Sequence, residues 1–191
     1  AAGRNTGKTE FAAAVIRRLS AERQVAAAKI TCIRENDASC PRGGAGCGVC
    51  DSLGERPYDI TEETGEHPDK DTGRLFAAGA SPVLWLRVRQ SRLAEGVAAL
   101  LARIPEDIPA ICECNSGRAV LIPGLFLVLR DPQQEKIKES CRDVLQHADR
   151  IVLVNGSGWD LQPDEFLFRD GRWRLRGGEG GDVCDSSSSF V

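Results

Sequence analysis

Apolar residues recur along this chain at two periods, and the two alternate. Over residues 9–21, Phe11, Val15, Ile16 and Leu19 return at helical spacing while Arg17 and Arg18 fall on the outer side, which predicts an amphipathic helix. Residues 24–33 read as a strand, with Val25, Ile30 and Ile33 set in an Ala-rich run. Residues 34–68 break the pattern: they are rich in Gly, Pro, Cys and acidic residues, and a connection that long is expected to be irregular and either functional or mobile. Residues 70–78 predict a short helix stopped by Gly79. A strand over 82–88 follows, then an amphipathic helix over 91–103 carrying Leu93, Val97, Leu100 and Leu101. Residues 108–114, 125–130 and 151–155 read as further strands, with a helix over 133–148 between the last two. A hairpin is expected over 166–175 across Asp170-Gly171. The tail, 177–191, is Gly, Ser and acid, a composition expected to be disordered.

Apolar strands alternating with amphipathic helices predict an α/β protein whose sheet is mostly parallel and covered on both faces. The 191 residues suit a single domain, expected over 1–176 with 34–68 as a Cys-rich insertion. A net charge of −3 gives no global basic field, so neither nucleic acid nor an anionic membrane is an expected partner. No apolar run approaches the roughly 18 residues of a membrane span, and no basic-then-apolar leader pattern opens the chain. A cytoplasmic location is therefore the expectation. Eight Cys in such a chain favour thiol roles in metal, cluster or redox chemistry over disulfides.

The chemistry concentrates at the start. The chain opens Ala1-Ala2-Gly3-Arg4-Asn5-Thr6-Gly7-Lys8-Thr9 and leads into the first predicted helix. This is close to the phosphate-loop template of Gly, four residues, then Gly-Lys-Ser/Thr, with Ala2 where the first Gly usually stands. Successive backbone N–H groups in such a loop, from Gly3, Arg4, Asn5, Thr6 and Gly7 onward, point at anionic oxygens, and the helix adds its positive end. Lys8 would neutralise the β and γ phosphates of a nucleoside triphosphate and the Thr9 hydroxyl would ligate Mg²⁺. An isolated Gly-rich turn before a helix is the plainer reading; the alternating β/α context favours the phosphate site. The fold expected is thus a P-loop NTPase-like three-layer sandwich. The loop has no strand before it and the chain contains no Met, so a strand ahead of Ala1 is expected in a longer protein, and without it a gap with open sheet edges.

A phosphate loop needs a carboxylate near Mg²⁺, commonly at a strand end. Glu113 closes the apolar run before it and is the leading candidate, with a strand-end surface acid as the alternative. Lys29, toward the end of the strand over 24–33, would point to the ligand edge of an open α/β sheet. Asp71 and Arg74, three apart, share one face of the short helix and form either a surface pair or part of a switch-like helix. Asn155, at a strand end before Gly156-Ser157-Gly158, is either a base-reading residue or a turn Asn.

These residues occur in an order that resembles the molybdopterin-guanine dinucleotide biosynthesis protein B family: the phosphate loop, Lys29 in Ala28-Lys29-Ile30-Thr31, Lys70-Asp71-Thr72-Gly73-Arg74 running to Ala78-Gly79-Ala80, and the strand ending in Glu113. The resemblance covers roughly residues 1–124. It implies a GTP-binding accessory protein that works with the enzyme attaching GMP to molybdopterin. Departures are Ile30 where the family has His, and Cys114-Asn115 where it has Gly-Phe.

The insertion carries Cys40, Cys47 and Cys50, with Cys32 upstream at a strand end. The Cys47-x-x-Cys50 spacing is a recurrent metal knuckle, and four thiolates would hold Zn²⁺ or an iron–sulfur cluster. Free thiols in a loop are the plainer alternative. Three functions follow as expectations. The first is GTP or ATP binding with slow hydrolysis, in molybdenum-cofactor or other metallo-cofactor maturation. It needs Mg²⁺ and a protein partner, with a homodimer as one assembly. The second is a nucleotide-gated metal module, and the third a small-molecule kinase.

Overall fold

The computed structural model describes residues 7–34, 51–114, 116–134, 139–156 and 158–176. Helix α1, Lys8–Ser20, buries Phe11, Val15, Ile16 and Leu19, the stripe that its spacing predicts. Strand β1, Ala26–Ile33, follows. After the insertion come β2, Tyr58–Glu62, and α2, Asp71–Ala77. The chain continues through β3, Val83–Arg89; α3, Leu93–Leu101; and β4, Ala110–Glu113. Then come β5, Leu127–Arg130; α4, Glu139–Leu145; β6, Arg150–Asn155; and β7, Gly158–Trp159. The hairpin of β8, Phe166–Arg169, and β9, Arg172–Leu175, closes the described chain.

One sheet has the order β2-β3-β1-β4. β1 is parallel to both β3 and β4, while β2 is antiparallel to β3, so the sheet is mixed rather than all parallel. A second sheet has the order β5-β6-β7, with β5 and β6 parallel. Alternate residues of the first sheet serve two cores. Ala27, Val83 and Ile111 pack with α1, α2 and the β8–β9 hairpin on one face. Ala26, Ala28, Ile30, Leu84 and Leu86 pack with Leu93, Val97 and Leu100 of α3 on the other. Helices therefore cover both faces, as the near-continuous apolar runs of β1 and β3 require. Each large side chain buried there contributes on the order of 1.5–3 kcal/mol.

The stretch expected to be irregular over 34–68 is not so throughout. Residues 58–62 form β2 along the outer edge of β3. Tyr58 and Ile60 pack on the α3-side core, while Asp59 faces Arg87 and Arg56, the latter at 2.5 Å. A two-residue alternation was present there, but only five residues long and among Gly and Pro. The helix expected over 133–148 begins later. Residues 132–134 form a turn in which the Gln133 N–H donates to the Asp131 carboxylate at 2.9 Å, and the helix is described over Glu139–Leu145. The expected hairpin is present, with Asp170 and Gly171 both at positive φ.

Candidate functional site

Helix α1 opens on Gly7, which holds φ 70 and caps the helix with no side-chain hydrogen bond. A left-handed residue at that position suits Gly because it has no Cβ. The first-turn amides of an α-helix have no acceptor within the helix. The helix dipole behind them favours negative charge at this end. The indole of Trp159 stands next to Gly7, 3.8 Å from where a Cβ would be, and its ring meets Phe11 edge-on at 5.1 Å.

Four side chains from four elements converge beside this helix end. Parallel pairing puts Lys29 of β1 directly opposite Glu113 of β4 at the carboxyl edge of the sheet. The Lys29 ammonium donates to Glu113 Oε1 at 3.3 Å and also to the Asp71 carboxylate at the start of α2. The other Glu113 oxygen, Oε2, accepts the Thr9 hydroxyl at 2.7 Å. Lys29 and Glu113 are enclosed, at 14% and 10% side-chain exposure, whereas Asp71 at 41% is the open side of the cluster. Burial raises the Asp71 carboxyl, but the Lys29 hydrogen bond and charge, the Thr9 hydroxyl and the Arg74 charge outweigh it and hold it below its ordinary range. Lys29 thus bridges the two carboxyl groups, with the Thr9 hydroxyl on the far side of Glu113. A carboxylate oxygen and a hydroxyl at 2.7 Å suit one small hard cation, which takes one or two protein oxygens and completes its shell with phosphate and water.

The remaining expected residues fall as follows. Lys8 begins α1 and lines an apolar slot with Glu113 and Cys114. Asp71 and Arg74 do not pair as a surface couple: Asp71 is taken by Lys29, while Arg74 reaches across to Glu10 of α1 at 3.0 Å. Asn155 is exposed and pairs Gly158 across the β6–β7 turn, a hairpin position. Gly3, Arg4, Asn5 and Thr6 of the loop, and Cys40, Cys47 and Cys50 of the insertion, lie outside the described residues. Cys32 stands part-buried near the end of β1. Among the described residues no group of three or more His, Cys, Asp or Glu is placed to hold a metal. The Cys114 thiol lies part-buried just past β4. Burial pushes it up to about 11, and the Ser116 and Gly117 N–H groups that donate to its sulfur offset this only in part. Burial likewise pushes the Cys112 thiol well above its ordinary value.

Two positioning residues escaped the sequence reading. Glu63, buried at 8% exposure, accepts the Thr72 hydroxyl on one oxygen and the Gly65 N–H on the other, each at 2.9 Å, which anchors the start of α2 under Asp71. Trp159 is the second. Its only sequence signal was a large aromatic just after the Gly-rich strand end at Asn155. No helix among the described residues is long and apolar enough to cross a membrane. No family model, curated protein or solved structure matches this chain.

Proposed function

We propose that this chain binds a purine nucleoside triphosphate, GTP or ATP, together with Mg²⁺ at the start of α1, and hydrolyses it slowly. The observation that carries the reading is the Thr9–Glu113 hydrogen bond. It joins the Gly-Lys-Thr start of α1 to a carboxylate 104 residues away at the adjacent strand edge. Gly7 lets phosphate approach the backbone, the first-turn amides receive its oxygens, and Lys8 offsets their charge. Thr9 and Glu113 are the residues that would hold Mg²⁺, which when bound supplies charge neutralisation at the β and γ phosphates. Asp71, on the open side and tied to the same Lys29 as Glu113, is the group through which α2 would respond to the occupant. Turnover without a partner is expected to be slow, an Arg finger being a group that partners commonly supply in trans. The resemblance to the molybdopterin-guanine dinucleotide family makes an accessory role in molybdenum-cofactor or other metallo-cofactor maturation the expected setting, with a protein partner.

The test is calorimetric titration of GTP and ATP with Mg²⁺. Lys8→Ala is expected to weaken binding about 10- to 100-fold, the scale of one charge-assisted contact to phosphate. Unchanged affinity in a variant that keeps its circular dichroism spectrum would end the reading.

A further inference from the structure

The chain carries a net charge of −3, yet one part of it gathers cations. Residues 166–176, the β8–β9 hairpin and its last turn, carry Arg169, Arg172, Arg174 and Arg176 against Asp170 alone. The register sets Arg169 directly opposite Arg172, and like charges in that arrangement oppose pairing. The hairpin packs against the far half of α1, with Phe166 and Phe168 buried in one core with Leu19. Between hairpin and helix lies a hollow of about 540 Å³ counting its open mouth. Arg18 and Arg23 line it from the end of α1, Arg169 and Arg176 line it from the hairpin, and Glu22 is the one carboxylate in its wall.

Ordinary structural roles account for half of this set. Arg18 pairs with Glu22 at 2.5 Å, and as a last-turn cation it complements the carbonyl end of α1. The Arg23 guanidinium stands over the Phe168 ring, 5.7 Å from its centre, a cation–π contact that holds it at the hollow. Neither account covers Arg169 or Arg176. Among the described residues, Arg23, Arg169 and Arg176 form no ion pair with a carboxylate. The backbone that carries Arg176 is nonetheless fixed, since its N–H donates to the Glu165 carbonyl at 2.8 Å. The carbonyl end of α1 opposes an anion here with about half an elementary charge. Four guanidinium groups against one carboxylate outweigh it.

We propose that this hollow binds a diphosphate group, and so is a second anion site, separate from the start of α1. A guanidinium presents paired N–H donors that match phosphate oxygens. A concave patch of one sign with low-dielectric walls focuses its field on the space between them. A diphosphate brings several negative charges into that small space, which matches the excess of cations around it. An anion seated there also offsets the repulsion that Arg169 meets across the hairpin. Helix α1 has 13 residues and is about 20 Å long, so one such group cannot serve both of its ends. The inference therefore does not rest on what the start of α1 binds.

The experiment titrates the 191-residue chain with inorganic diphosphate by calorimetry, in a chelator so that no divalent cation takes part. Arg169→Ala and Arg176→Ala are each expected to weaken binding about tenfold, the scale of one charge-assisted contact at an exposed site. Arg174→Ala, on the same hairpin but outside the hollow, is expected to change it less than about twofold. All three side chains belong to exposed residues, so the variants keep the fold. Lys8→Ala removes any contribution from the start of α1 and is expected to retain the binding that depends on Arg169 and Arg176. Absence of binding to the unaltered chain overturns the proposal. So does an equal loss in Arg174→Ala, which shows a diffuse basic face, or loss of all binding in Lys8→Ala, which places the anion at the start of α1. Inorganic monophosphate bound as tightly as diphosphate overturns the choice of ligand. Where diphosphate binds, ADP titrated into Lys8→Ala tells its two sources apart. Binding that depends on Arg169 and Arg176 supports an esterified diphosphate, and no binding supports the free ion.

Discussion

Glu113 offers one oxygen to Thr9 and the other to Lys29, and these two bonds define what the residue does. A neutral amide keeps the shape but replaces one acceptor with a donor, which cannot serve both partners or a cation. Glu113→Gln is therefore expected to lower Mg²⁺-dependent nucleotide turnover at least about 100-fold while changing Mg²⁺-free nucleotide affinity much less. Steady-state hydrolysis assays beside calorimetry in a chelator check it, and equal loss in both would remove the metal role. Which residues carry charge at the site was legible in the sequence. Their pairing was not: Lys29 meets Asp71 and Glu113 from 42 and 84 residues away, and no local pattern encodes such a distance.

Helix α2 shows how a short element is held where propensity is against it. It has seven residues, one of them Gly73, and no side-chain cap at Lys70. Its start is fastened from outside, by Glu63 through Thr72 and by the backbone at His67, whose carbonyl accepts the Lys70 N–H at 3.0 Å. That fastening leaves no room at Gly73: a Cβ there would lie 1.9 Å from the His67 carbonyl oxygen. Gly→Ala inside a free helix gains about 1 kcal/mol. Here the obstacle is backbone, which cannot rotate away, so overpacking of about 2–3 kcal/mol prevails. Gly73→Ala is expected to destabilise the protein in urea unfolding, and a stabilised variant would show that the helix sits elsewhere. The sequence displayed Gly73 in its motif but not the reason for it, because the clash is with a segment outside the helix.

At the scale of the whole molecule, two engaged carboxyls set part of the acid response. Burial raises Glu63, but the Thr72 hydroxyl, the Gly65 and His67 N–H groups and the His67 charge outweigh it, leaving it below its ordinary 4.5. Asp71 is held below its ordinary 3.8 against its own burial, chiefly by Lys29. With both folded values below the unfolded ones, the unfolded chain binds more protons in the interval between them. The stabilisation is complete above about pH 5 and is lost as pH falls below 4.5 and 3.8 through the depressed values. Urea midpoints measured from about pH 6 to pH 3 are expected to fall on the acid side, and Glu63→Gln to flatten that fall. An unchanged slope in the variant would separate Glu63 from the acid response.

Local pattern was enough for most of the succession of elements, though not for β2 or β7. The 3.6-residue stripe of α1, the apolar runs of β1 and β3 and the Asp170-Gly171 turn each record a preference that acts within a few neighbouring residues. So does the Gly-Lys-Thr start of α1, whose chemistry is a property of a helix end. The antiparallel β2 edge, the Lys29–Glu113 register, the Glu63 anchor beneath α2 and the hollow between α1 and the β8–β9 hairpin depend instead on which distant segments meet. Those outcomes come from burial and backbone pairing across the assembled chain, where a hydrogen bond takes whatever partner the packing delivers. Only the tertiary structure decides them.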